Sequence, residues 1–382
     1  MNVLFLSLDL FSYGGIQRYS RYLLQALRRS PGVASIRIAS LEAPDGAGFE
    51  QRLAVDAVGR GPVLLRKPLF ILDAVRLALS GHTALVICDH INLAPLAYVC
   101  GRLARRPYWL NVYAIEVWGD LSFLRRRALL GADVIVSDCD FTRRYLEERY
   151  PVLAGRITVV PDCVDVECFV PGSEGTAART PTLLTVSRLA PGRSKGHARV
   201  MRALVELRSR GIEARYIIAG DGADRARLEA IAEAAGLRSS IEFRGVVSDA
   251  ELPALYRECD VFALVSGFKM DGRPQGEGVP LVVLEAQSSG KPVVTSSRDG
   301  SAESIADGDT GILVDPADDR AITSALARLL SDAELRSRMG AAARRRAERQ
   351  FSVEVFERRI GDVVARLSVS GPPVAVVAEA QR

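Results

Sequence analysis

Short apolar runs alternate with longer amphipathic stretches from one end of the chain to the other. Runs dense in Val, Ile and Leu predict strands at 2–8, 35–40, 84–88, 108–112, 133–137 and 157–160. A second series follows at 182–187, 214–219, 241–244, 260–265, 292–295 and 311–314. Helical periodicity predicts helices at 16–29, 68–80, 92–104, 121–130 and 141–149, then at 196–210, 224–235, 249–257, 281–289, 301–306 and 318–330. Two more helices, 332–349 and 352–367, close the pattern. Strands that are apolar throughout and separated by helices belong to parallel sheets covered on both faces, so the class is α/β.

The stretch 161–181 (PDCVDVECFVPGSEGTAARTP) breaks the alternation with Pro, Gly and small polar residues and reads as a linker. With 382 residues the chain is too long for one ordinary core. The expected organisation is a doubly wound domain at 1–172, a second at 173–350, a crossing helix at 351–367 and a mobile tail at 368–382. Two such domains would face each other across a cleft at the carboxyl ends of their strands, where open α/β sheets bind ligands. That architecture fits a two-substrate enzyme or a closing binding protein.

Composition narrows the function. Hydrophobic residues make up 48% and charged residues 25%, as in a soluble globular protein, and the net charge of +4 is too mild to imply a nucleic-acid partner. Six Cys form no C-x-x-C pair and three His are not spaced with them as ligands, which predicts no metal site and reduced thiols in the cytoplasm. The first residues enter a strand directly, as expected without a secretory leader. No apolar run approaches the roughly 18 residues that span a bilayer. Of 50 basic residues only four are Lys (Lys67, Lys195, Lys269, Lys291), so each Lys is a candidate for a task that a compact ammonium performs better.

Four stretches carry candidate chemistry. Gly14-Gly15 lie between a strand and a helix, where glycine admits a ligand to the backbone and a helix start favours anions; a plain tight turn is the alternative. In SRLAPGRSKGHARV, Arg188 follows a strand end and Lys195 comes seven residues later, so both cations can be turned toward one diphosphate or can be solvated loop charges. AGDGADRARLE places Gly222 in a strand–loop–helix turn of a kind that also lines nucleotide pockets. EGVPLVVLE holds Glu277 before a short buried helix and Glu285 on its second turn, with Pro280 suited to the start and Gly290 to the end. Eight residues of loop and helix reach about 12 Å, the span from a sugar past a pyrophosphate to a ribose.

Taken together and in this order, these stretches resemble the family-four retaining glycosyltransferases of the GT-B fold. Glu277 and Glu285 match that family's E-x7-E signature, Gly14-Gly15 its N-terminal glycine loop, and Arg188 and Lys195 its donor-phosphate cations. VSDAELPALYRECDVFALVS and SGKPVVTSSRDGSAESIADGDTGILVDP resemble the segments flanking the signature. The resemblance covers residues 1 to about 367. It implies transfer of a sugar from a nucleotide-diphosphate donor, a UDP- or GDP-sugar, to a glycan or lipid-linked acceptor in cell-surface polysaccharide or glycolipid synthesis. Configuration would be retained, with no metal and no further cofactor.

By the same resemblance Glu277, Arg188 and Lys195 are catalytic. Gly14, Gly15, Gly222, Val246, Gly278, Val279, Pro280, Leu281 and Glu285 bind the donor, and Gln17, Arg18, Tyr113 and Glu116 face the sugar or acceptor. Three departures stand out. Tyr113 occupies a position that often holds His, Asp162-Cys163 stand where Asn-Gly is common, and Gly278-Val279-Pro280 replace the usual Gly-Phe-Gly. The alternatives are a nucleotide-sugar epimerase or hydrolase of the same fold, a pyridoxal-dependent phosphorylase, and an inactive sugar-binding protein. Basic runs at Arg102/Arg105/Arg106, Arg125–Arg127 and Arg143-Arg144 are either solvated helix faces or a peripheral contact with anionic membrane at its inner face.

Overall fold

The computed structural model describes residues 1–12, 14–42, 55–59, 63–172, 180–192, 194–270 and 272–369. They form two compact units. The first comprises 1–138, 142–160 and the residues from Phe356 on; the second comprises 139–141 and 161–355. The division falls at Val160/Pro161 rather than at 172/173. The amide of Val164 bonds the carbonyl of Phe351 at 2.8 Å and Phe169 enters the second unit's core, so the Pro-rich stretch packs there instead of linking. Residues 173–179 of the expected linker lie outside the described residues, as does the expected tail beyond Val369.

The first unit runs β1 (Asn2–Ser7), α1 (Gly15–Arg29), β2 (Ser35–Ser40), β3 (Ala57–Val58), α2 (Val63–Leu79), β4 (Leu85–Cys88), α3 (Ala94–Ala104), β5 (Tyr108–Val112), α4 (Ala114–Val117), α5 (Phe123–Leu130), β6 (Val134–Ser137), α6 (Asp140–Arg149) and β7 (Ile157–Val159). All pairings are parallel, in the order β3-β2-β1-β4-β5-β6-β7. Two residues of β3 offered no run to recognise. Helix α2 starts before Pro68, which was expected to open it. Near a helix start an internal proline strands only the carbonyl four residues back, and Leu64 there is 90% exposed.

The last helix, α14 (Val353–Val369), adds its length from Phe356 to this unit. Glu357 accepts hydrogen bonds from Gln25 at 3.2 Å and Arg29 at 2.7 Å, and the Phe356 ring meets Tyr19 edge-on at 5.2 Å.

The second unit runs β8 (Thr182–Val186), α7 (His197–Ser209), β9 (Arg215–Ala219), α8 (Arg225–Ala234), β10 (Ile241–Gly245), α9 (Leu252–Glu258), β11 (Val261–Leu264), α10 (Leu281–Ser288), β12 (Val293–Ser296), α11 (Ser301–Ser304), β13 (Gly311–Val314), α12 (Asp319–Ser331) and α13 (Ala333–Gln350). Its parallel sheet has the order β10-β9-β8-β11-β12-β13. Successive residues feed opposite cores: Leu183, Tyr216, Ile218, Val261 and Ala263 on one face, Leu184, Ile217, Ala219, Phe262 and Leu264 on the other. Two-sided burial is why these strands read as unbroken apolar runs. No helix among the described residues is long and apolar enough to cross a membrane.

At the carboxyl edge of this sheet the loops are laced by backbone bonds. The amide of Ser187 bonds the carbonyl of Ala219, that of Leu189 bonds Asp221, and that of Gly220 bonds Gly245, at 2.7 to 2.9 Å. Gly220 has φ +123°, and a Cβ there would lie 1.9 Å from the Ser187 carbonyl oxygen. Gly211 also has positive φ, +78°, with nothing near its missing Cβ. Gly211→Ala should therefore cost about 1 kcal/mol of left-handed strain. Gly220→Ala should cost several kcal/mol more, because the loops must part. Urea midpoints of the two variants measure the difference; equal losses would remove the lacing argument.

Candidate functional site

The second unit gathers most of the predicted chemistry at the carboxyl edge of its sheet. Glu277 lies in the loop between β11 and α10. Its Oε1 accepts from the Lys195 ammonium and, at 2.6 Å, from the Ser266 hydroxyl. Its backbone amide donates to Asp299 Oδ2 at 2.9 Å, and its carbonyl accepts from the Gly300 amide at 3.0 Å. Oε2 takes no hydrogen bond from the described residues. Lys195 reaches this point because its loop is strapped down: the Gly267 amide bonds Ser194 O at 2.9 Å and Gln275 Nε2 bonds Gly192 O at 2.6 Å. Gly196, at φ +89°, seats α7 directly on the end of β11, where a Cβ would meet Val265 O at 2.3 Å.

Arg188 lies in the laced loop after β8, exposed and without an ion pair among the described residues. The structure thus brings Lys195 to Glu277 and leaves Arg188 free on the same edge. The amides of Gly278, Val279, Leu281 and Val282 donate to nothing among the described residues. Pro280 is the N-cap of α10, just outside the first turn where it was expected. Unsatisfied donors at a helix start are the chemistry that can accept an anion. Gly222 is exposed and its backbone presses on Leu189 O; Val246, directly after β10, is 75% exposed.

Glu285 is placed differently from its partner. It sits on the second turn of α10 but is 1% exposed, and its Oε2 accepts from the Tyr256 hydroxyl at 2.7 Å. The cause is local: α10 is apolar on nearly every side and buries all but one of its residues, so no face remains on the surface.

Several residues escaped the sequence reading. Asp299 is 2% exposed, and burial followed by the nearby Glu277 carboxylate raises its pKa from 3.8 to about 7. Asp299 comes from the loop after β12, which only the folded sheet brings to Glu277, and Ser266 reaches it across their shared loop after β11. Behind Arg188 runs a buried polar chain. Thr185 donates to Ala263 O at 2.6 Å, so it accepts from Tyr216 (2.8 Å). Tyr216 then accepts from His197 Nδ1 (3.0 Å), and Nε2 accepts from the Ser187 hydroxyl at 2.9 Å. Burial, then Lys195, pulls His197 down to about 4, which keeps the ring neutral.

In the first unit, Gly14 caps α1 in extended backbone and Gly15 is its first residue. Gln17 donates to Asp9 Oδ2 at 3.4 Å. Asp9 also accepts from the amides of Phe11 (2.9 Å) and Ser12 (3.2 Å). Burial alone would raise Asp9, but the Ser12 hydroxyl, which donates to Oδ2, and then these other hydrogen bonds outweigh it and hold its pKa below the usual value. Asp9-x-x-Ser12 was the available signal, a side chain folding its own loop. Arg18 begins the hydrogen-bonded turns of α1 by donating its amide to Gly14 O at 3.0 Å. Tyr113 caps α4 and is buried, its ring 5.3 Å edge-on to Tyr19, while Glu116 is half-buried on α4. Among the described residues no three His, Cys, Asp or Glu side chains gather as for a metal ion.

Two family models match the chain: "Glycosyltransferase Family 4" over residues 13–168 and "Glycosyl transferases group 1" over 171–346. A GDP-mannose-dependent alpha-(1-6)-phosphatidylinositol monomannoside mannosyltransferase of Mycolicibacterium smegmatis is 34% identical over 270 residues, 66% of this chain and 69% of that one. The chain belongs to the family-four glycosyltransferases. A D-inositol 3-phosphate glycosyltransferase of Corynebacterium urealyticum is 33% identical over 233 residues, 57% of this chain and 53% of the other. The crystal structure of Anabaena Alr3699/HepE in complex with UDP has the same GT-B fold, with a TM-score of 0.80 and 18% identity, over 96% of this chain and 100% of that one. The glycosyltransferase is an enzyme of the nucleotide-sugar-dependent kind.

Asp299 gives this enzyme a measurable pH signature. Between its ordinary 3.8 and about 7 the native state holds a proton that the unfolded chain has lost, so stability should fall as pH rises through that window. Buried Asp89, also raised to about 7 by burial, contributes in the same direction. Melting temperature followed from pH 4 to pH 8 should decline, and Asp299→Asn should flatten the decline; an unchanged slope would show that Asp299 ionises freely.

Proposed function

We propose that the glycosyltransferase moves a sugar from a nucleotide-diphosphate donor to a glycan or lipid-linked acceptor, with retained configuration and without a metal. The observation that carries this reading is the Lys195–Glu277 pair, set beside an unpaired Arg188 and the free amides of 278–282 on one sheet edge. As the bond from the anomeric carbon to the diphosphate breaks, the negative charge on the leaving oxygen would meet Arg188, Lys195 and the start of α10. The acceptor hydroxyl would attack from the same side and pass its proton to that leaving oxygen. Glu277 Oε2 would hold a sugar hydroxyl, and Ser266 would keep the carboxylate oriented. Gly222 and Val246 would border the nucleoside. Glu285 would serve the ribose if its Tyr256 pair admits a second hydroxyl.

Gln17, Arg18, Tyr113 and Glu116 are the proposed acceptor-side residues, and Tyr113 would act by hydrogen bonding, not as a base. We place the reaction at the cytoplasmic face of a membrane, where lipid-linked acceptors are found. The names of the relatives support both donor bases: GDP-mannose for the Mycolicibacterium enzyme and UDP for the Anabaena structure.

A thermal-shift panel of UDP, GDP, ADP and their common sugars should single out one base. With that donor, Glu277→Ala should lower kcat by about 100-fold or more, and Lys195→Ala should raise KM for the donor as well as lower kcat. Near-native rates in both variants would overturn the reading. Release of free sugar at the same rate with and without acceptors would favour a hydrolase of the same fold.

A further inference from the structure

The first unit carries a second constellation, away from the glycine loop. Helices α2, α3 and α5 lie side by side, and nine of the twelve large apolar side chains exposed among the described residues are on these three helices. Val99 and Leu103 stand out from α3, and Phe123 (64% exposed) and Leu124 (62%) from α5. Between α3 and α5 two adjoining hollows, of about 220 and 360 Å³, share Tyr98 and Gly131. Gly131 makes the room: a Cβ there would lie 2.4 Å from the Tyr98 ring. Arg102, Arg105 and Arg106 line the first hollow, and Arg126 and Arg127 the second.

None of these five arginines has a carboxylate partner among the described residues, and Arg102 lies over the Tyr98 ring at 5.2 Å. The one acid lining either hollow, Asp133, uses its Oδ2 for the Tyr108 amide at 2.8 Å. Arg105 is also the only residue other than glycine with positive φ (+54°) among the described residues. It ends α3 where glycine would be easier, so strain is accepted to keep a guanidinium at that point.

We propose that this groove seats the phosphate of an anionic phospholipid while Phe123, Leu124, Val99 and Leu103 enter the bilayer interface. A soluble phosphate would use the arginines but has no need of the apolar rim. An apolar protein partner would leave five unpaired guanidiniums against its surface. A bilayer with anionic headgroups satisfies both halves, its phosphates meeting the cations and its interface taking the apolar rim. Helix α5 starts just after α4, which carries Glu116, and ends at the groove, so the contact would run along one helix from the acceptor residues. The inference deepens the reading of a lipid-linked acceptor but stands on other residues.

The test is sedimentation of the full chain with vesicles of phosphatidylcholine alone or mixed equally with phosphatidylglycerol. We expect at least tenfold tighter binding to the mixed vesicles, weakened by salt. R105E/R106E and F123S/L124S should each reduce it tenfold or more, while the charge-matched R338E/R345E on α13 should not. Donor thermal shifts should survive in all three, which reports folding and separates failure here from failure of the donor site. Equal binding to both vesicles, or no effect of the groove variants, overturns the proposal. So does a thermal shift with inorganic phosphate that is lost in R105E/R106E, which would assign the groove to a free anion instead.

Discussion

Glu277 fastens three loops at once. Its carboxylate takes the ammonium of Lys195 and the hydroxyl of Ser266, its amide feeds Asp299, and its carbonyl receives Gly300. The turns after β8, β11 and β12 therefore converge on a single residue. Burial, and then the neighbouring Glu277 carboxylate, hold the Asp299 pKa up at about 7. Without a ligand, Lys195 is neutralised by Glu277. On the proposed reading an arriving diphosphate competes with Glu277 for that ammonium.

What the amino-acid order revealed depended on how local each cause is. The strands were legible because burial on both faces writes an unbroken apolar run, as in Leu85–Cys88 or Val261–Leu264. The helix starts at Gly14-Gly15 and after Lys195-Gly196 were legible because a glycine beside a helix is a local signal. Asp299 was not, since its meaning comes from strands that are neighbours only in the sheet, and Ser266 was not, since it depends on how the long loop between β11 and α10 folds back on itself. Glu285 shows a subtler limit: an eight-residue helix that is apolar nearly all round gives no phase, so sequence alone cannot say which way its carboxylate points. Pro68 misled in the other direction, because proline marks a helix start by habit but here lies inside α2, where it leaves the carbonyl of the exposed Leu64 without an intrahelical partner.

The polar chain through Thr185, Tyr216, His197 and Ser187 belongs to the same economy of loops. Each member spends its hydrogen on the next, so the neutral His197 can hold only one tautomer and the Ser187 hydroxyl points inward. A side chain beside Arg188 is thereby fixed from the core rather than from the surface. This explains how a polar row is accommodated in a sheet otherwise filled with Leu, Ile and Val.

The first unit is not a continuous piece of chain. Tyr19, near its beginning, packs against Phe356, and Gln25 and Arg29 meet Glu357. On the ribosome these partners emerge last, after almost all of the second unit has left the exit tunnel. The half of the protein that is made first is thus completed second. The 161–355 segment, with its own two-sided core, can close while the earlier half still waits with Tyr19 uncovered. Closing the first unit therefore depends on a segment made after the second.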